Sequence, residues 1–139
     1  MKFIVRLFYI GLLFIIIMLS GCKKFHEEII GTWEFHGYGQ KKDNIFIWTF
    51  SEKGELIRMN ESGSWVVYDT CSYEISRALL ETRILIYDTK KLTGDPYGLV
   101  DGYYRVDRFK NNILAITRIE TIDGRTEGAF LRLEFTRIK

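Results

Sequence analysis

Two thiols (Cys22 and Cys71), two imidazoles (His26 and His36) and a scatter of carboxylates are the groups in this 139-residue chain suited to covalent or acid–base chemistry. Covalent catalysis needs a nucleophile held beside an activating base. Cys71, in "VVYDTCSYEI", has no histidine near it in sequence and reads as a buried small hydrophobe. His36 has the opposite strand parity to Trp33 and Phe35, which makes it an exposed strand residue, and His26 lies in the short polar stretch "KKFHEE". There is no His-x-x-x-His, no Cys-x-x-Cys and no Gly-rich phosphate loop. Asp88, Asp95 and Asp101 flank a loop over 90–99 and could gather around Ca²⁺, but their spacing fits no Ca²⁺-binding loop and they read as solvated. Glu52, Glu55, Asp107 and Asp123 read as decorations of turns. The expectation is a protein that is not an enzyme, with no catalytic residue, cofactor or metal. One reactive group is left, Cys22.

Lys2 and Arg6 precede an apolar run from Leu7 to Leu19. A charged n-region before about 13 apolar residues is the build of a signal peptide. A spanning helix needs about 20. The run ends at Leu19-Ser20-Gly21-Cys22, which resembles the lipobox of bacterial lipoproteins, cleaved just before a cysteine that carries lipid. An aliphatic residue and two small ones allow an extended peptide into a narrow protease site, and the thiol is the nucleophile that takes the lipid. The resemblance implies a signal peptide over 1–21, a lipidated Cys22 with a tether over 22–28, and a mature protein held on a membrane by lipid. Lys23 is not the Asp that retains some lipoproteins at the inner membrane, so the expected address is the bacterial cell envelope, at the outer membrane.

Lys2 and Arg6 leave with the signal, and the remaining chain has 18 basic and 18 acidic residues. A neutral protein has no long-range field to favour nucleic acid. Residues 29–139 are enough for one domain with its own core. Their aromatic and β-branched residues fall in short runs: 30–38, 44–51, 54–60, 63–70, 82–89, 100–109, 112–120 and 127–137. The joints "SEKG", "NESG", "KNN" and "TIDGR" are short and rich in turn formers. Eight strands joined mostly by hairpins predict an all-β, antiparallel up-and-down barrel, since closure removes both sheet edges. Residues 71–81 read as a short helix or a further irregular strand, and 90–99 as a loop.

Leu131, Leu133 and Phe135 alternate with Arg132, Glu134 and Thr136, as a barrel wall should. Strands 44–51 and 112–120 are apolar on both faces and call for cover, from 71–81 or from another molecule.

"GTWEF" opens the first strand and Arg137 closes the last. This resembles the lipocalin family, and in particular the small lipocalin-like lipoproteins of Bacteroidetes-type bacteria. There a Gly-x-Trp starts strand one, its Trp plugs one end of the barrel, and an Arg from the last strand packs across the ring. The resemblance implies a barrel floor of Gly31, Trp33 and Arg137. Arg137 shares the parity of Leu131, Leu133 and Phe135, an agreement the motif does not require. The chain is shorter than a typical lipocalin, and it lacks the helix after the last strand and the family's disulfides.

Two functions stay open. One is binding of a small hydrophobic ligand in the barrel mouth by Trp48, Phe50, Trp65, Tyr68, Tyr104 and Phe135. The other is a filled barrel, lipid-anchored to present an apolar outer patch to a protein partner or a second copy.

Overall fold

The computed structural model describes residues 24–37, 44–63, 65–78, 81–93 and 99–138. Cys22, the signal segment and Asp95 lie outside them. Eight strands follow in chain order: β1 (Gly31–Phe35), β2 (Asn44–Phe50), β3 (Glu55–Ser62), β4 (Trp65–Ala78), β5 (Glu81–Tyr87), β6 (Gly102–Lys110), β7 (Ile113–Glu120) and β8 (Thr126–Arg137). Each pairs antiparallel with the next, and β1 pairs with β8, so the sheet is a closed up-and-down barrel.

The turns carry the chemistry their residues suggest. Asn111 and Asn112 both adopt positive φ, 55° and 62°, as the two-residue hairpin between β6 and β7 requires. Gly124 at φ 80° does the same in the β7–β8 turn, where the Thr121 hydroxyl donates to Asp123 and Arg125 Nε donates to the same carboxylate at 2.7 Å.

Inward residues alternate with outward ones along β2 and β3. Trp33, Phe35, Phe46, Trp48, Phe50, Leu56, Ile84, Ile86, Tyr104, Leu114, Ile116, Leu133 and Phe135 form one buried cluster. Its rings are in mutual contact: Phe135 sits 5.5 Å from Phe35 and 4.8 Å from Trp48, and Phe50 meets Tyr73 edge-on at 5.0 Å.

Two expectations are corrected, and one alternative is decided. Of the two readings of 71–81, a helix or a further strand, residues 71–78 take the strand, as a continuation of β4 with Ser72 to Ala78 paired to β5. Its length lets one strand pair β3 with its first half and β5 with its second. Residues 71–78 therefore do not cover strand 44–51, and Ile45 is exposed on the outer face.

Residues 24–28, read as tether, belong with Ile29 to a helical turn, α1 (24–29). Phe25 and Ile29 are four apart and so share a face, which is buried in the floor with Phe25 edge-on to Phe109 at 4.8 Å. On the outer side Lys24 pairs with Glu28 at 3.7 Å.

Asp107 is not in a turn. It is the extra residue of a β-bulge between Val106 and Arg108, where it accepts from the Thr117 hydroxyl at 2.5 Å and Arg105 Nε at 2.9 Å. Partial burial raises its pKa, but the hydrogen bonds from Thr117 and Arg105 outweigh that and hold the carboxyl below its usual 3.8. A depressed folded-state pKa contributes stability that is complete above the unfolded value and lost as pH falls through the folded one. Asp107→Asn is expected to flatten the acid side of the stability curve, between about pH 5 and pH 2. Denaturation midpoints of parent and variant that fall in parallel over that window would contradict this.

Candidate functional site

The barrel has two ends. At the floor, α1 and the turns at 51–54 and 111–112 gather. At the mouth lie the long β5–β6 connection and the turn at 121–125.

The floor is built around Trp33. The Arg137 guanidinium lies 4.4 Å from the centre of its ring, and Trp33 Nε1 donates to the Ile29 carbonyl at 2.8 Å. Arg137 Nη1 donates to the Ile30 carbonyl at 3.0 Å, and Nη2 donates to the Glu28 carbonyl. The arginine thus also caps the Glu28 carbonyl at the end of α1, as Trp33 caps that of Ile29. Gly31 has φ 132°, and a Cβ there would stand 2.9 Å from Arg137 Nη1, so only glycine lets the chain turn from α1 into β1 under that guanidinium. An open cleft of about 470 Å³ adjoins this arrangement, bounded by Glu28, Trp33, Phe109, the 110–113 turn and Arg137.

The upper interior is different. Arg58 on β3 and Asp69 on β4 are register partners, both turned inward and both fully buried. Arg58 donates to Asp69 Oδ2 through Nε at 3.1 Å and Nη2 at 2.5 Å. The connection after β5 lies over this pair. Lys90 N donates to Asp69 Oδ2 at 3.0 Å, and the Lys90 carbonyl accepts from Arg58 Nη2 at 2.5 Å. Asn60 Nδ2 reaches the Thr93 carbonyl at 2.7 Å, and Thr89 N reaches Asp101 Oδ1 at 2.9 Å. Leu92 and Val100 are buried, which presses the strap 88–93 and its return at 99–101 onto the barrel.

Three buried oxygens in this region have no hydrogen-bond partner among the described residues: Asn60 Oδ1, Asp69 Oδ1 and Thr89 Oγ1. Such groups are rare in folded proteins, and each marks a place where a water or a ligand donor belongs. Phe46 and Trp48 are the register neighbours of Asn60 and Arg58 on β2, so an aromatic wall stands beside the polar cluster.

The residues expected to bind ligand are divided by this architecture. Trp48, Phe50, Tyr104 and Phe135 are all inside. Phe50, Tyr104 and Phe135 are core, and the Tyr104 hydroxyl donates to the Val100 carbonyl at 2.7 Å. Trp48 alone borders the polar cluster. Trp65 has inward parity but sits at the rim, 37% exposed. Tyr68 points outward, 69% exposed, and does not meet the others.

Arg58, Asn60 and Asp69 were not singled out from sequence. In "ELIRMNES" the apolar alternation runs through Ile57 and Met59, which face out or halfway out. The usable signal was the opposite parity, with Leu56 and an Arg and an Asn following it.

Cys71 lies next to this cluster, its Sγ 3.4 Å from the Leu56 carbonyl. Burial pushes its thiol up to about 12, with neighbouring Asp69 and Asp101 adding to the rise and Arg58 opposing it. The native protein is therefore expected to leave Cys71 unmodified by maleimide at neutral pH, and to label it once unfolded in urea. Rapid native labelling, read by intact mass, would show that the upper barrel opens.

The fold and its floor define a class, a closed eight-stranded antiparallel barrel compatible with a lipocalin-like fold. No protein-family model matches the chain, and no curated protein sequence matches it.

Proposed function

We propose that this protein is a lipid-anchored binding protein of the bacterial cell envelope, held at the outer membrane through Cys22, whose barrel takes a small ligand beneath the 88–93 strap. The observation that carries the reading is the set of three buried oxygens without a hydrogen-bond partner among the described residues, Asn60 Oδ1, Asp69 Oδ1 and Thr89 Oγ1. A packed apolar interior would have no reason to keep them. They call for a ligand with a hydrogen-bond donor, its apolar body lying against Phe46 and Trp48. Since the lower barrel is filled by its own rings, the ligand is small and the strap must lift for entry. Its class narrows from a simply hydrophobic molecule to one with an apolar body and a donor head.

Native mass spectrometry of residues 23–139, purified gently from cells, tests this. The expected result is a reproducible added mass that solvent extraction releases and that Asn60→Leu abolishes. A bare mass for the parent protein would sink the ligand reading.

Lipid attachment is checked separately. In this reading membrane association rests on Cys22; among the described residues no helix is long and apolar enough to cross a membrane. Cys22→Ala should yield an unprocessed or soluble form without incorporated lipid. A variant that fractionates and labels as the parent does would refute the anchor.

A second reading is favoured by one surface. Ile45, Ile47, Ile57, Met59, Val66 and Tyr68 lie on the outward parity of β2, β3 and β4; Ile47, Met59 and Tyr68 are neighbours in register, and Ile45 and Val66 flank Glu61. Ile45, Ile57, Val66 and Tyr68 are exposed there. A patch of this kind suits a protein partner or a second copy. Sedimentation of the parent and of Tyr68→Glu would separate these: a dimer lost in the variant supports self-association.

A further inference from the structure

We infer that the single-residue spacing between Cys22 and α1 presses the barrel floor against the phospholipid headgroups, so that the mouth and its strap point away from the membrane. The inference rests on the lipidation proposed above and adds to it an orientation and a contact surface.

The argument is one of reach. Lys24 is the first residue of α1, and α1 is part of the folded barrel. Phe25 packs on Phe109, Ile29 is fully buried, and Arg137 holds the carbonyls of Glu28 and Ile30. His26 stacks near Tyr73 with ring centres 6.4 Å apart. One residue, Lys23, separates the lipid-bearing residue from this fixed element, and the two steps from Cys22 to Lys24 span at most about 7 Å. The headgroup layer on one side of a bilayer is itself roughly 5–8 Å thick. A lipid seated at the base of that layer therefore brings the floor down onto it. A flexible spacer of about 15 residues would instead average some 20 Å and allow free tumbling.

The floor presents polar groups to such a contact. Lys24, Lys53, Lys110, Asn111 and Asn112 are exposed around α1, the 51–54 turn and the open cleft. Glu27, Glu28 and Glu52 are exposed in the same region, so the contact is imposed by the covalent anchor and not by net charge. Arg58 lies four residues along β3 from Gly54 of the 51–54 turn, roughly 10 Å of tilted β-strand, and the strap covers it on the side away from the floor. A ligand consequently enters from the aqueous side and not sideways from the bilayer.

The test uses the full lipoprotein in phosphatidylethanolamine–phosphatidylglycerol vesicles carrying a nitroxide on a fraction of the headgroups. A fluorophore is placed at the floor by Lys53→Cys or at the mouth by Ile122→Cys; Cys22 is blocked by its lipid and Cys71 is buried. Floor labels are expected to be quenched several-fold more strongly than mouth labels. Inserting about 15 Gly/Ser residues between Lys23 and Lys24 should bring the two close to equality. Equal quenching at both ends of the parent, on vesicles that retain the protein, overturns the orientation and leaves the anchor standing. Unchanged asymmetry after the insertion overturns the spacing as its cause. A protein whose intact mass carries no lipid removes both the inference and the anchor on which it rests.

Discussion

Replacing Arg58 with methionine is expected to cost about 3–5 kcal/mol of folding stability, because it leaves Asp69 charged and unpaired inside the barrel. The guanidinium supplies two of the three donors to Asp69 Oδ2, and the carboxylate side chain is fully buried. A loss of that size is a large share of the 5–15 kcal/mol typical of a domain. The pair itself need not be a net source of stability, since removing two charges from water can cost more than their attraction returns. Arg58→Met combined with Asp69→Leu is therefore expected to recover most of the loss. Urea denaturation of the parent, both single variants and the double variant completes the cycle. A single variant within about 1 kcal/mol of the parent would show that the pair is solvated, since exposed pairs contribute at that level. The double variant has a further use: if it folds as stably as the parent yet loses the added mass, the charges are kept for the ligand and not for the fold.

The second large effect concerns the other end. Trp33→Ala should cost about 3–5 kcal/mol, the range for truncating a buried large aromatic residue. The change opens a void next to Phe109, removes the donor to the Ile29 carbonyl, and takes away the face on which Arg137 lies. Arg137→Ala should cost less, since it loses a cation–π contact worth about 0.5–2 kcal/mol and the cap on α1 but leaves the indole in place. The order Trp33→Ala, then Arg137→Ala, is the specific expectation, read from thermal melts. A Trp33→Ala protein that melts within a degree of the parent would mean the floor is not a structural unit. α1 supplies an independent readout, since its six residues have too little helical propensity to stand without packing. Fast hydrogen exchange around Ile29 in Trp33→Ala should therefore accompany the loss.

Both predictions concern residues that the sequence presents very unequally. Trp33 and Arg137 were open to reading, because a strand-opening Gly-x-Trp and a terminal arginine of inward parity are local features. They face each other in the β1–β8 register that closes the barrel. Arg58 and Asp69 were hidden. They are eleven residues apart on different strands, and nothing local says that their parity is the inward one. In β3 the more apolar set, Ile57 and Met59, is the one turned away from the core, so alternation pointed the wrong way.

By itself, the sequence determined the number and order of the strands, the hairpins, and the closure that eight successive antiparallel strands demand. These follow from short-range rules: period-two alternation, turn residues that tolerate positive φ, and the penalty on open sheet edges. Tertiary structure alone decided three other matters. It extended β4 through 71–78, because a strand persists where it has partners on both sides. It folded 24–29 into a helix, because Phe25 and Ile29 are stabilised only by burial in the floor. It also brought Arg58, Asn60 and Asp69 together under the strap, a placement set by strand register and by the backbone of residues 89–93. Register and burial are properties of the closed barrel as a whole, and no single stretch of the chain carries them.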